Sequence, residues 1–474
     1  MSSATESADH EGRRFLLPVA GGAAYIGDLM ITSSLPGFRD FYPADLALRS
    51  HIFHTWRKVA RRYGFVEYDG PPLESLELYT HKSGEELVGQ LYRFTDQGGR
   101  EIALRPEMTP TFARMVAARA GGIPKPIKWF SIPQLFRYER PQKGRLREHF
   151  QLNVDIVGET SVASDVEVVA AAIDVLREFG LGPEDFVVRY SDRELISAVL
   201  MELGVPEDAL LATFAALDKS DRESEEWLCD RLVEAGVDAR AATRVLDLAG
   251  MSLEDVSEQF VTVPAIADMV RRLDQFRAQI EAAGLASFVQ PDLRLVRGLA
   301  YYTGLVFEVW DRRGKFRAIC GGGRYDDLLE AVGGPELPAL GFGMGDVVLA
   351  EVLRDRNLVP ESGDALDDFV IHVSEEQLPA ALRIVHSLRS RGRRVGFDYR
   401  SRGVSRQFKV ANQAGAARVI VVGPEEVESG KCVVRSMDTG EESRSLDPRG
   451  NKTRQDSDDV PPAQEDDPRR QEGS

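Results

Sequence analysis

Cysteine is scarce in this chain, and what there is does not cluster. Cys229, Cys320 and Cys432 are the only three among 474 residues. No Cys-x-x-Cys pair occurs, which argues against a disulfide framework and against a zinc knuckle. The three are expected to be small buried side chains in a reducing compartment. Long apolar runs are missing too. Nothing approaches the roughly 18 consecutive apolar residues of a membrane span. Histidine is sparse, at seven residues, and no His/Asp/Glu cluster has the look of a dedicated metal site. His51, His54 and His81 read as packing or surface residues. A positive balance is also lacking: 59 Lys and Arg stand against 76 Asp and Glu, for a net charge of −17. That excludes indiscriminate nucleic-acid binding, though a local basic site survives it.

What is present is ordinary for a globular protein of two or three domains, with 43% hydrophobic residues. Arg13-Arg14-Phe15-Leu16-Leu17-Pro18 is superficially an export signal, but Pro18, Gly21, Gly22 and Asp28 break it. A cytoplasmic protein is expected, with residues 1–33 a disordered extension. Leu46 to Tyr63 has one apolar face, at Ile52, Phe53, Trp56, Val59 and Ala60, and predicts a helix. A short strand, Phe65 to Tyr68, follows. Strands are expected over Ile127 to Phe136, Phe150 to Val157 and Phe186 to Tyr190, with a helix over Val162 to Phe179. From about 191 to 285 the pattern turns almost wholly helical and reads as an insertion. Strand-like sequence resumes at Phe288. Residues 357–367 form a polar linker. In 368–447, strands near Phe369–Val373, Val395–Tyr399 and Val419–Val422 alternate with helices near Leu378–Arg391 and Gln407–Gly415. Such alternation predicts a parallel or mixed sheet. From 448 to 474 the tail is polar and charged, and disorder is expected.

Two clusters carry the chemistry. Phe136-Arg137-Tyr138-Glu139-Arg140-Pro141-Gln142-Lys143-Gly144-Arg145-Leu146-Arg147 reads as a β-hairpin returning through His149 to Asp155. A guanidinium can hold a phosphate through two parallel hydrogen bonds, and a neighbouring carboxylate can accept from an exocyclic amine. A nucleoside triphosphate fits that pair. The second cluster spans Arg383 to Lys409, where nine cations (Arg383, Arg389, Arg391, Arg393, Arg394, Arg400, Arg402, Arg406 and Lys409) face one anion, Asp398. In an acidic chain this is a candidate phosphate-binding face.

The hairpin resembles motif 2 of class II aminoacyl-tRNA synthetases, in particular the histidyl enzymes. Leu104-Arg105-Pro106-Glu107-Met108-Thr109, Arg297-Gly298-Leu299-Ala300-Tyr301-Tyr302 and Gly321-Gly322-Gly323-Arg324-Tyr325-Asp326 carry the same resemblance. It covers about 34–446. It implies an α+β catalytic domain (34–356) on an antiparallel sheet, with the helical insertion at 191–285. It also implies a smaller C-terminal α/β anticodon-binding domain (368–447), and a homodimer built on the first helix and strand.

The resemblance assigns catalysis to Arg137 and Arg297, on opposite sides of the α-phosphate of ATP. Glu139 would accept from the adenine amine, and Arg145 would reach the γ-phosphate. His149 stands where the family stacks a phenylalanine on adenine. Histidine would be held by Glu107, Thr109 and Gln151 at its ammonium and by Asp155 and Tyr302 at its ring. Tyr301, Arg137 and Arg297 complete that site. Asp155 lies four residues past Gln151, so both point to one face of a strand. Gln142, Lys143 and Arg147 would meet the tRNA acceptor stem, and Arg400, Arg402 and Arg406 the anticodon end. Magnesium would arrive with ATP, and no tightly bound cofactor is implied. The substrates are then L-histidine, ATP and tRNA-His, with no membrane partner.

Three positions depart from the pattern: Val348 replaces the motif 3 arginine that grips the γ-phosphate in most class II enzymes, Ala300 an aspartate, and His149 the phenylalanine. Similar changes mark a branch that includes plant organellar enzymes. The competing expectation is a catalytically silent relative serving as a regulatory subunit of ATP phosphoribosyltransferase. Such relatives typically lack the anticodon-binding domain, whereas 368–447 reads as complete.

Overall fold

In a computed structural model of the chain, the described residues are 33–80, 85–217, 219, 223–248, 250–296, 301–360 and 365–446. The expected disordered termini fall wholly or almost wholly outside that set. Arg297, Ala300 and His81 lie outside it as well. The chain divides into two compact units, with the boundary after Pro360.

The first unit is built on a nine-stranded sheet. Its order is Val66–Glu67, Ile127–Ser131, Glu148–Val157, Ala339–Gly345, Cys320–Arg324, Leu305–Asp311, Phe186–Asp192 and Val289–Pro291, with Gln134–Phe136 pairing to one side of Glu148–Val157. The interior pairs are all antiparallel, and the two edge pairs are parallel. The expected strand Ile127 to Phe136 is two strands, because Ile132-Pro133 interrupts it. Proline has no N–H to give to a ladder. Its carbonyl instead accepts from Gln151 N at 3.1 Å.

Helix Pro43–Arg62 buries Leu48, Ile52, Trp56, Val59 and Ala60 along one stripe. It packs against helix Val162–Glu178, which is buried along most of its length. Burying such side chains contributes about 1.5–3 kcal/mol apiece for the larger ones. Among the described residues, the stretch expected to be helical holds six α-helices, from Arg193–Glu202 to Pro264–Ala282. Pro264–Ala282 lies against Val162–Glu178, so the helical segment shares one apolar core with the sheet. Ser224 and Ser252 accept from Trp227 N and Asp255 N, which satisfies backbone donors at two helix starts.

The second unit has a five-stranded mixed sheet. Its order is Val395–Phe397, Asp368–His372, Arg418–Val422, Cys432–Ser436 and Glu442–Leu446. The first three strands are parallel and the last two antiparallel. Helices Leu378–Arg389 and Val404–Gln413 flank it. The strand at Val395 stops at Phe397, short of the expected Tyr399. The buried Asp398 carboxylate turns back to accept from Arg400 N at 2.7 Å and Arg402 Nε at 2.6 Å, closing a turn there. No helix among the described residues is long and apolar enough to cross a membrane.

Candidate active site

The Gln134–Phe136 and Glu148–Val157 strands form the expected hairpin, registered Gln134 to Phe150 and Phe136 to Glu148. Its turn closes between Gln142 and Arg145 with reciprocal backbone bonds of 3.0 and 2.9 Å. Gly144 sits at φ +74°, in the left-handed region that glycine enters without strain. The base of the hairpin is clamped by charge. Arg39 donates to Glu148 Oε1 at 2.7 Å and to Asp346 Oδ2 at 2.9 Å, and Asp346 accepts from Phe150 N at 2.9 Å. Arg39 thereby ties the hairpin to helix Asp346–Asp355, which carries Val348.

A cavity of about 510 Å³ opens beside this hairpin. Arg137, Glu139, Arg145, His149, Gln151 and Val348 all line it. Arg137 is held in place by a 2.9 Å bond from Nε to Pro106 O. The Glu139 carboxylate is ion-paired with Arg145. Burial, reinforced by the charges of Arg137 and Arg39, pushes the His149 imidazole down to about 3. That ring is therefore neutral at physiological pH and offers an uncharged face. Lys143 sits over the Phe316 ring at 5.3 Å. Arg147 lies elsewhere: its guanidinium donates to Glu139 O at 3.0 Å and to Pro36 O at 3.3 Å, and covers the Tyr138 ring. It braces the hairpin from behind.

A second cluster forms around the next residues. Tyr301 Oη donates to Glu107 Oε2 at 3.1 Å, and Thr109 shares the same hydroxyl. The Tyr301 ring meets Tyr325 edge to face at 6.0 Å. Tyr325 in turn donates to Asp155 Oδ1. Burial pushes Asp155 up to about 7, with the Tyr325 hydrogen bond pulling the other way. Asp155 and Gln151 share the strand Glu148–Val157, over a stripe of glycine. A Cβ on Gly341 would lie 2.4 Å from Asp155 Oδ1, and one on Gly343 would lie 2.7 Å from the Gln151 amide. Tyr302 is buried, with its ring 2.9 Å from where a Gly323 Cβ would be.

Tyr325 was missed by sequence reasoning. It sits in the quoted Gly-Gly-Gly-Arg-Tyr-Asp run, yet nothing local connects it to an aspartate 170 residues earlier. Its neighbour Arg324 is fully buried and bonded to Asp165 at 2.7 Å, which anchors that run. In the second unit, Arg402 is tied to Asp398, while Arg400 and Arg406 are exposed.

An antiparallel sheet flanked by helices, with a cation-lined hairpin cavity and a separate mixed-sheet unit, defines a class II aminoacyl-tRNA synthetase. The profile for histidyl-tRNA synthetase matches residues 37–346, and that for the anticodon binding domain matches 368–447. The histidine–tRNA ligase of Opitutus terrae is 43% identical, over 86% of this chain and 95% of its own length. The chloroplastic/mitochondrial histidine–tRNA ligase of Arabidopsis thaliana is 37% identical, over 86% of this chain and 83% of its own. The crystal structure of histidyl-tRNA synthetase from Nostoc sp. PCC 7120 shares the fold at a TM-score of 0.74 and 22% identity. It covers 88% of this chain and 97% of that one. The chain belongs to the histidyl-tRNA synthetase family.

Proposed function

We propose that the chain is a histidine–tRNA ligase. A carboxylate oxygen of L-histidine attacks the α-phosphorus of ATP, and pyrophosphate leaves. The resulting histidyl-adenylate is attacked by a ribose hydroxyl at the 3′ end of tRNA-His, and AMP leaves. The histidine carboxylate is already ionised near pH 7, so the first step needs no general base. Its barrier is electrostatic, and fixed cations lower it.

The observation that carries this reading is the convergence of Arg137, Glu139 and Arg145 on one cavity beside buried acceptors on the same strands. In the proposed roles, Arg137 and Arg297 flank the α-phosphate. Adenine takes Glu139 and a phosphate takes Arg145, so ATP exchanges an internal ion pair for two intermolecular contacts. His149 packs on adenine as a neutral ring. Glu107, Thr109 and Gln151 take the ammonium, and Asp155 and Tyr302 the imidazole. Tyr325 and Tyr301 hold Asp155 and Glu107 in place. Mg2+ accompanies the triphosphate, and no further cofactor is required. Gln142 and Lys143 serve the acceptor stem on a hairpin that Arg147 braces; Arg400 and Arg406 serve the anticodon arm, beside Arg402, which Asp398 anchors. The functional domains run over 34–356 and 368–447, joined by 357–367. The protein acts in the cytoplasm as a homodimer, an assembly supported by the edge position of Val66–Glu67 and the 62% exposure of Val66. The regulatory-subunit alternative is not favoured, since a complete anticodon-binding domain accompanies the catalytic one.

Histidine-dependent exchange of pyrophosphate into ATP, followed by charging of tRNA-His, tests the proposal. Exchange with histidine and not with other amino acids is expected. Absence of exchange would return the regulatory reading.

A further inference from the structure

The cavity's far end presents a problem of charge. A triphosphate brings close to four negative charges, and the position expected to answer the last of them is Val348, which is buried and apolar. Arg145 leaves Glu139 for a phosphate when ATP binds, and it supplies one cation there, so the terminal phosphate is short of a second. We propose that Arg317 is the residue that takes the γ-phosphate of ATP in this chain, in place of an arginine at position 348.

Three observations converge on it. Arg317 lines the same cavity as Arg137, Arg145 and Val348. It is delivered by the loop between strands Leu305–Asp311 and Cys320–Arg324, and that loop meets the tip of the phosphate-side hairpin through Phe316. Lys143 covers the ring of Phe316, one residue away. The third observation fixes the location. A methyl placed on Gly144 would lie 3.5 Å from Val348 Cγ2 and 3.9 Å from Arg317 Cδ. The valine and the arginine stem therefore face one spot on the hairpin tip, next to Arg145. A guanidinium delivered there reaches the space that a longer side chain at 348 would otherwise fill. The half-buried setting favours arginine, whose planar fork binds phosphate oxygens in pairs and is weakly hydrated. Val348 in turn supplies the apolar wall that lets the hairpin tip pack closely.

The inference rests on the ATP-using reading above, so its test must fail separately from that reading. Binding of Mg·ATP and Mg·ADP to the full-length protein, measured by calorimetry without histidine, compares ligands that differ only in the γ-phosphate. Arg317→Ala should weaken ATP roughly ten- to a hundredfold, the range of a hydrogen-bonded charge contact. ADP affinity should stay within about twofold of wild type, which is the scatter such measurements carry against a tenfold effect. Arg317→Gln keeps most of the stem and should lose as much as Ala. Arg317→Lys keeps a point charge and should retain most of the ATP affinity. Equal loss of ATP and ADP, no loss of either, or full rescue by Gln would each overturn the assignment. Wild-type protein that binds ATP but shows no histidine-dependent exchange would instead sink the ligase reading and leave the Arg317 comparison standing.

Discussion

The two units both gather arginines, and the surroundings of those arginines differ. In the first unit the guanidiniums of the hairpin and its base are held by fixed acceptors. Arg137 sits on Pro106 O, Arg145 on Glu139, Arg147 on two carbonyls, and Arg39 between Glu148 and Asp346. In the second unit, Arg393 and Arg418 bind the buried Asp368, and Arg402 binds Asp398, while Arg400, Arg406 and Lys409 are exposed on the surface. Preorganised charge in a walled cavity can stabilise a transition state, because it does not reorganise as charge develops. Exposed charge makes a diffuse, salt-screened field suited to a polyanion. In the proposed function the same residue type is thus set for chemistry in one unit and for docking in the other. Substitutions should reveal the difference in both size and salt dependence.

The largest effect belongs to the cavity. Arg137→Ala should lower histidine-dependent pyrophosphate exchange by about 10²–10³, the usual loss for one such donor. Circular dichroism should be unchanged. Arg297→Ala is expected to lose as much. A loss below about tenfold would break the contrast between the units, since it would mean that the cavity charge is as replaceable as surface charge.

Next comes Asp155→Asn. Histidine activation should fall about ten- to a hundredfold, read as kcat/KM for histidine in the exchange assay. The same variant carries a pH signature. Asp155 is raised from 3.8 to about 7 by burial, so the unfolded chain gives up this proton first as pH rises. The fold then bears a penalty that is absent below about pH 4, grows between about 4 and 7, and is complete above 7. Asparagine removes the penalty. Denaturant midpoints should therefore show the variant gaining stability relative to wild type as pH climbs through that window. A drift in the opposite direction would contradict a buried carboxyl group that holds its proton up to about pH 7.

These contrasts also mark what the sequence could and could not disclose. The hairpin was legible because Arg-x-Glu, a Pro/Gly turn and a returning strand are all local. Arg137, Glu139, Arg145, His149 and Gln151 meet in one cavity because that hairpin and its strand carry all five. The sheets were legible in kind, through β-branched alternation, but not in their ends. Pro133 split one strand, and the Asp398 turn cut another short. What stayed hidden is whatever depends on contacts between distant segments. Tyr325 reaching Asp155, Arg39 joining Glu148 to Asp346, and Arg317 meeting the hairpin tip have no period and no motif spacing. Arg147 is instructive for the opposite reason. Its place in a basic turn reads as nucleic-acid contact, while its guanidinium lies on Glu139 O, Pro36 O and the Tyr138 ring.

The smallest expected effects lie in the second unit, and they sharpen the comparison most. Arg400→Ala and Arg406→Ala remove exposed charges, so each should weaken tRNA-His about three- to tenfold at physiological salt. Each should also reduce the slope of log affinity against log salt by about one for every phosphate left without its cation. Filter binding at several salt concentrations reads both quantities, and pyrophosphate exchange should not change. Arg402→Ala separates docking from architecture within the same cluster. The side chain of its partner Asp398 is fully buried, and the substitution leaves that carboxylate with the backbone N–H groups of Arg400 and Arg402 but without the Arg402 guanidinium. Depriving a buried carboxylate of its cation is costly, so Arg402→Ala should lower the thermal midpoint where Arg400→Ala does not. If all three variants lost tRNA affinity equally and none lost stability, Arg402 would belong with the exposed docking charges. The anchored-versus-exposed distinction would then hold only for the catalytic cavity.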